Sequence, residues 1–157
     1  MKRRMFAASL ALGILATLGL VGSAVAGELV PFNGVLEGTV TRSLPPPPIH
    51  VDIAATGTAT QLGMFVVDIP HDVVPPDAIG SYHFVAANGD TLTATFTGLS
   101  APADPGFLYI VELATITGGT GRFAGATGGF VCERLFDIAG GTTVGSFEGA
   151  ISIRDSH

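Results

Sequence analysis

The fifteen residues ITGGTGRFAGATGGF, Ile116 to Phe130, admit two readings, and the choice between them decides the fold. Gly119, Gly121 and Ala124 fit a GxGxxA dinucleotide loop that follows the strand-like run LYIVELATIT, with Asp137 about where a ribose-binding acid is expected. Such a loop needs a helix directly after the glycines, so that its N-terminal N–H groups meet the pyrophosphate. Here the chain continues with Gly125, Gly128 and Gly129, and each interior glycine costs a helix about 1 kcal/mol relative to alanine. The run that follows, FVCERLFDI, is strand-like. The segment therefore predicts strand, tight glycine corner, strand, and it argues against a Rossmann fold.

At the amino terminus Lys2, Arg3 and Arg4 precede an apolar run from Phe6 to Val21 and the small-residue site Ala24-Val25-Ala26. This is the pattern of an export signal over 1–26, with the mature domain over 27–157 and a secreted or periplasmic destination. A membrane anchor is the competing reading, but the small-residue end and the absence of a basic stop-transfer flank favour cleavage, after which no membrane contact is expected. Without the three basic residues of the signal, four arginines and no lysine stand against thirteen acids, leaving nine net negative charges. That balance argues against nucleic acid and anionic membrane as partners. Cys132 is the one cysteine, so no internal disulfide forms and stability must come from packing.

Few charges and an abundance of glycine, threonine, valine and phenylalanine favour strands with tight turns. From Pro31 onward, runs of about eight to eleven residues recur between turn signals. Eight strands are expected, near 31–42, 49–56, 58–68, 79–87, 90–98, 107–117, 126–138 and 143–154. Pro45 to Pro48 and the segment holding Pro70, Pro75 and Pro76 read as loops, since proline cannot donate to a central ladder.

Two hairpins can be placed in register, because cross-strand partners share a face and the correct register gathers the apolar residues. A three-residue loop with Gly89 left-handed pairs Phe84 with Leu92, Tyr82 with Ala94 and Gly80 with Phe96, and turns His83 outward. In the last hairpin a loop over Ala139 to Thr142 sets Phe136 against Gly145, Arg134 against Phe147, Cys132 against Gly149 and Phe130 against Ile151. Large residues then face glycines, as in the crowded interior of a small barrel.

Five stretches carry a resemblance: PFNGVLEGTVT at 31–41, GTATQLGMF at 57–65, AANGDTLTATFTG at 86–98, ITGGTGRFAGATGGF at 116–130 and SFEGAISI at 146–153. Together they resemble bacterial exported proteins with an allene oxide cyclase barrel-like fold, related in shape to the plant dirigent proteins. The resemblance implies an all-β fold, a single eight-stranded antiparallel β-barrel with a central cavity. In relatives of known chemistry that cavity holds an apolar substrate and steers a cyclisation or coupling mainly by shape. The shared motifs are turns and wall positions, so no catalytic residue is carried over.

Arg134 is the first candidate for a functional role, because an arginine inside a barrel needs an acid or water beside it. Glu112 falls roughly diagonal to Arg134 if Leu108, Ile110 and Ala114 share the inward face. The opposite face of that strand, with Phe107, Tyr109, Val111 and Leu113, is equally apolar, so both orientations stay open. A lumenal pair that orients a ligand and a purely structural ion pair are the alternatives. Cys132 has no histidine beside it and reads as a small apolar residue rather than a nucleophile. His50, Asp52, Asp68, His71 and Asp72 are of metal-ligand type, but their spacing matches no recognised site.

These readings lead to an exported barrel that binds a small apolar ligand in its lumen. The lining is expected from Tyr82, Phe84, Leu92, Phe96, Phe130, Phe136, Phe147 and Ile151, with Arg134 and Glu112 as polar groups. A cofactor-free cyclase or isomerase that works by shape is one alternative. A filled barrel acting as an envelope interaction module, or as a homo-oligomer through its outer faces, is the other.

Overall fold

The structure is a computed structural model that describes residues 27–153; the signal expected over 1–26 lies outside the described residues. Ten strands follow in chain order: β1 (Leu29–Pro31), β2 (Gly34–Arg42), β3 (Ile49–Ala59), β4 (Gly63–Asp68), β5 (His71–Val74), β6 (Asp77–Ala86), β7 (Thr91–Pro102), β8 (Phe107–Gly119), β9 (Thr127–Asp137) and β10 (Thr142–Ser152). Every pairing is antiparallel, and β10 pairs with both β9 and β2, which closes the sheet on itself. β1 and β2 lie end to end along β10, and β4 and β5 lie end to end between β3 and β6. The ten segments thus make the eight staves of a closed barrel.

The deciding stretch folds as strand, corner, strand. β8 runs to Gly119, and the corner holds a three-residue 3₁₀ turn, Gly121–Phe123, before β9 begins at Thr127. Gly121 and Gly125 take φ of +58° and +72°, a left-handed backbone that glycine reaches without a Cβ clash. The Asp90 carboxylate accepts the Arg122 N–H at 3.3 Å and ties the corner to the neighbouring hairpin. Phe123 is driven from the corner into the barrel end and is fully buried. Asp137 accepts the N–H groups of Ala139 and Gly140 in the last hairpin turn, so its carboxylate serves that turn.

The Asn88-Gly89 hairpin has the expected register, Phe84 with Leu92, Tyr82 with Ala94 and Gly80 with Phe96, with Gly89 at φ +88° and His83 exposed. Three sequence readings are corrected. The last hairpin turns one residue earlier, over 138–141, so Phe136 faces Thr143, Arg134 faces Gly145, Cys132 faces Phe147 and Phe130 faces Gly149. A slip of two keeps every side chain on its face, which is why periodicity could not detect it. The segment after Pro70 is no bare loop: β5 pairs with β3 and β6, because the prolines bracket its four residues and leave their N–H groups free for the ladder. The break expected near residue 57 falls at 60–62, where Gln61 is left-handed at φ +68°.

Size complementarity holds inside the barrel. A Cβ on Gly145 would lie 2.5 Å from Arg134 Cγ, one on Gly34 2.5 Å from the Phe147 ring, and one on Gly57 2.6 Å from the Phe65 ring. Around this framework Phe32, Phe65, Tyr82, Phe84, Phe130 and Phe147 stack and cross with ring centroids 5.1–6.2 Å apart. With Leu62 and Phe123 they fill the end of the barrel where the glycine corner lies. Truncating Phe123 to alanine removes that closure; the expected loss is about 3–5 kcal/mol. It is read as a lower urea midpoint at an unchanged slope.

Candidate functional site

The opposite end of the barrel is open. Val40, Ile49, Val51, Ile53, Val73, Ala78, Leu108, Ile110 and Phe136 wall a cup of about 510 Å³, and His71, Glu112 and Arg134 supply polar groups to its lining. Arg42 reaches the same cup from the end of β2, its guanidinium carbon 5.6 Å from the centroid of the Phe136 ring. A larger groove of about 1090 Å³ crosses β5 to β10, but it is shallow and lined in part by outward residues such as Ile79, Thr97, Leu113 and Val131. The enclosing walls make the cup the better site.

The floor of the cup is a buried hydrogen-bonded cluster. In the β8–β9 ladder Ile110 lies opposite Arg134 and Glu112 opposite Cys132, so Glu112 and Arg134 are diagonal neighbours on the inward face. Both are almost completely buried, with 0% and 2% exposure. Glu112 therefore takes the inward orientation of the two that the sequence left open. Gly98, across from Glu112, and Gly145, across from Arg134, leave space for the two side chains. Arg134 Nη2 donates to Glu112 Oε1 and Arg134 Nε donates to Oε2 at 3.1 Å, a bidentate pair. Arg134 Nη1 donates to Thr143 Oγ1 at 3.2 Å, and that hydroxyl in turn donates to the Leu135 carbonyl at 3.1 Å. From below, the Tyr82 hydroxyl donates to Glu112 Oε2. Among the described residues every buried side-chain nitrogen and oxygen has a partner.

These contacts set the protonation states. Burial works against the Arg134 charge, but the Glu112 carboxylate outweighs it and holds the guanidinium above its ordinary range. Burial, and then the Glu112 charge, hold the Tyr82 phenol well above its ordinary value of 10.0, so it stays a neutral donor. The same two causes push the Cys132 thiol up to about 12, and a protonated, buried thiol is a poor nucleophile. His71 is lowered from 6.5, first by burial.

The residues expected to line a ligand site divide into two groups. Arg134, Glu112 and Phe136 line the cup. Tyr82 lies beneath its floor, while Phe84, Phe96, Phe130 and Phe147 are buried in the aromatic packing, with Leu92 and Ile151 in the same core. Sequence reasoning missed Thr143, Arg42 and the inward turn of His71. Thr143 was legible in principle, since it shares the period-two face of Gly145 and Phe147 on β10. His71 was hidden by its place among prolines. Of the other metal-type residues, His50 Nδ1 bonds the Asp72 carboxylate at the surface.

No family model matches the chain, and no curated protein matches its sequence. Among solved structures the pterocarpan synthase dirigent protein PsPTS1 is similar at a TM-score of 0.64 and 10% identity, over 83% of this chain and 99% of that chain. The pterocarpan synthase dirigent protein GePTS1 is similar at 0.62 and 12% identity, over 85% of this chain and 90% of that chain. The fold is dirigent-like. At these identities the likeness is one of fold alone: the path of the staves is shared, and the side chains of the floor have to be read from this chain.

Two outcomes follow from the floor. Arg134→Met alone leaves the Glu112 carboxylate buried without its cation, and Glu112→Gln alone leaves the guanidinium unpaired. Each is expected to lose about 3–5 kcal/mol, and the double variant Arg134→Met/Glu112→Leu far less. Urea denaturation of the three variants checks this, and small losses in both single variants would contradict it. The second outcome concerns alkaline pH. Between 9.0 and about 12 the unfolded chain has lost the Cys132 proton that the native chain keeps. The native state then binds more protons, so stability falls as pH rises through that window, and Tyr82 adds the same sign above 10.0. Urea midpoints followed upward from neutral pH should decline from about pH 9.

Proposed function

We propose that this is an exported barrel protein that binds a small, largely apolar molecule in the cup above Arg134 and Glu112. The observation that carries the reading is the division of the lumen. One half is filled by aromatic rings, while the other keeps about 510 Å³ of space between apolar walls over a polar floor. That volume lies in the range of small-molecule sites, and apolar walls with a few convergent polar groups are their usual construction. A barrel serving only as a structural module gains nothing from an open end lined by Val51, Ile53, Ile110 and Phe136, whose burial by a ligand is favourable. The export signal read at 1–26 supports a secreted or periplasmic location. The five sequence stretches and the dirigent-like fold together support placing the chain beside exported allene oxide cyclase barrel-like proteins.

A second reading is a cyclase or isomerase without a cofactor. It is favoured by the floor, where a tyrosine hydroxyl, a carboxylate and a guanidinium are locked in one hydrogen-bonded arrangement. A flexible substrate held over fixed donors and acceptors reacts through the conformation the walls impose, and positioning of that kind supplies much of a barrier reduction.

Native mass spectrometry of the mature protein from its own host's envelope fraction tests the first reading. A stoichiometric small apolar molecule that is lost from Ile110→Trp, which fills the cup, is the expected result. A ligand-free mass, with no thermal shift across a library of apolar compounds, would overturn it. Incubating the extracted molecule with the protein and looking for an isomer of equal mass tests the second.

A further inference from the structure

His71 lines the cup without belonging to the hydrogen-bonded network of Arg134 and Glu112. It is the first residue of β5, in register with Val51 on β3 and Gly80 on β6. A Cβ on Gly80 would lie 2.3 Å from the His71 Cβ, so the missing side chain at 80 makes the room that His71 uses. The ring crosses Phe96 edge to face, with centroids 5.6 Å apart at 63°; His71 borders the outer groove and lines the cup beside Glu112 and Arg134, on the same side as its register partner Val51.

The contacts of the ring define its tautomer. Nδ1 lies 2.9 Å from the Ile69 carbonyl oxygen, which only accepts, so Nδ1 carries the hydrogen. In a neutral ring Nε2 then holds a lone pair. Nε2 has no hydrogen-bond partner among the described residues, and since every buried side-chain nitrogen and oxygen there is partnered, Nε2 must reach open space. An acceptor fixed in a mainly apolar cup is a selective feature, because a ligand that brings a donor gains a hydrogen bond there where one without it gains none.

Resting on the reading of the cup as a ligand site, we propose that His71 is its specificity-determining residue: Nε2 accepts a hydrogen bond from an O–H or N–H of an otherwise apolar ligand, and protonation of Nε2 by acid abolishes that recognition. The charged and titratable surroundings support the second half. Burial, the largest influence, and Arg134 on β9 oppose a second positive charge here, while the Ile69 carbonyl, Glu112 on β8 and Asp52 on β3 favour it. Of the other ionisable groups, Arg42 on β2 lines the same cup with its guanidinium over the Phe136 ring, and His50 on β3 and Asp72 on β5 are engaged with each other. The ring is therefore neutral at pH 7 and becomes a cation only below 6.5. Protonation converts Nε2 from acceptor to donor, so a hydroxyl and a methyl ether then offer it the same acceptor oxygen and the preference for a donor is lost.

The test uses a matched pair of probes, 2-naphthol and 2-methoxynaphthalene, of which only the first carries a donor. Fluorescence titration of the wild-type protein at pH 7.5 is expected to give about tenfold tighter binding of 2-naphthol, the value of one net hydrogen bond. The ratio is expected to fall to about one in His71→Phe, and in the wild-type protein as pH drops below 6.5. Equal binding of the two probes by the wild-type protein, or a ratio that survives in His71→Phe, would overturn the role of His71 and leave the cup reading standing. Absence of binding by either probe would overturn both. Should His71→Phe fail to fold, long-range ¹H–¹⁵N NMR of the wild-type protein decides. An Nδ1–H tautomer whose Nε2 resonance moves on addition of 2-naphthol supports the proposal, whereas an Nε2–H tautomer or an unmoved resonance removes it.

Discussion

The bidentate pair between Arg134 and Glu112 is the constraint on which the interior depends. Two charges with almost no exposure must be desolvated, and only a nearly complete set of partners makes that tolerable. The partners come from around the barrel: Tyr82 on β6, Thr143 on β10 and the Leu135 carbonyl on β9. Satisfying them requires staves β6, β8, β9 and β10 to hold one register, since a slip in any of them would leave a charge or hydroxyl unpaired. Gly98 and Gly145 are part of the same requirement, as a side chain at either position would crowd the Cγ stem of Glu112 or of Arg134.

The pair also marks a boundary. Below it the rings of Phe32, Phe84, Phe130 and Phe147 interlock with Tyr82, whose hydroxyl joins the aromatic layer to the polar one. Above it the walls are mainly aliphatic, with Phe136 and His71 among them, and the smaller side chains leave the lumen open. An eight-stranded barrel is only just wide enough for its own side chains to fill it. Whether it is plugged or hollow is therefore decided by the size of the inward residue at each level. The fold can be shared with dirigent proteins at about a tenth of the sequence identical, because strand periodicity, glycine corners and closure specify the staves, while lumen contents are free to vary.

Much of this was legible in the chain. The glycines after Gly121 excluded a helix, the period-two alternation identified most strands, and Gly89 placed its hairpin in the observed register. The β9–β10 hairpin was misjudged by two because glycines at 145 and 149 offer a large residue the same room in either alignment. The prolines on both sides of His71 read as a broken chain, and only pairing with β3 and β6 turns it inward.

By itself the sequence determined the class of fold, the glycine corner, the inward alternation and the presence of one arginine among apolar neighbours. These are local properties, set by backbone sterics and a period of two. The tertiary structure decided which face of β8 points inward, that Glu112 meets Arg134, and that one half of the lumen is packed while the other is a cup. Those outcomes depend on shear and closure, which bring residues from distant staves to one level. No local pattern encodes that level, because sliding one stave by two residues preserves every face and changes every neighbour.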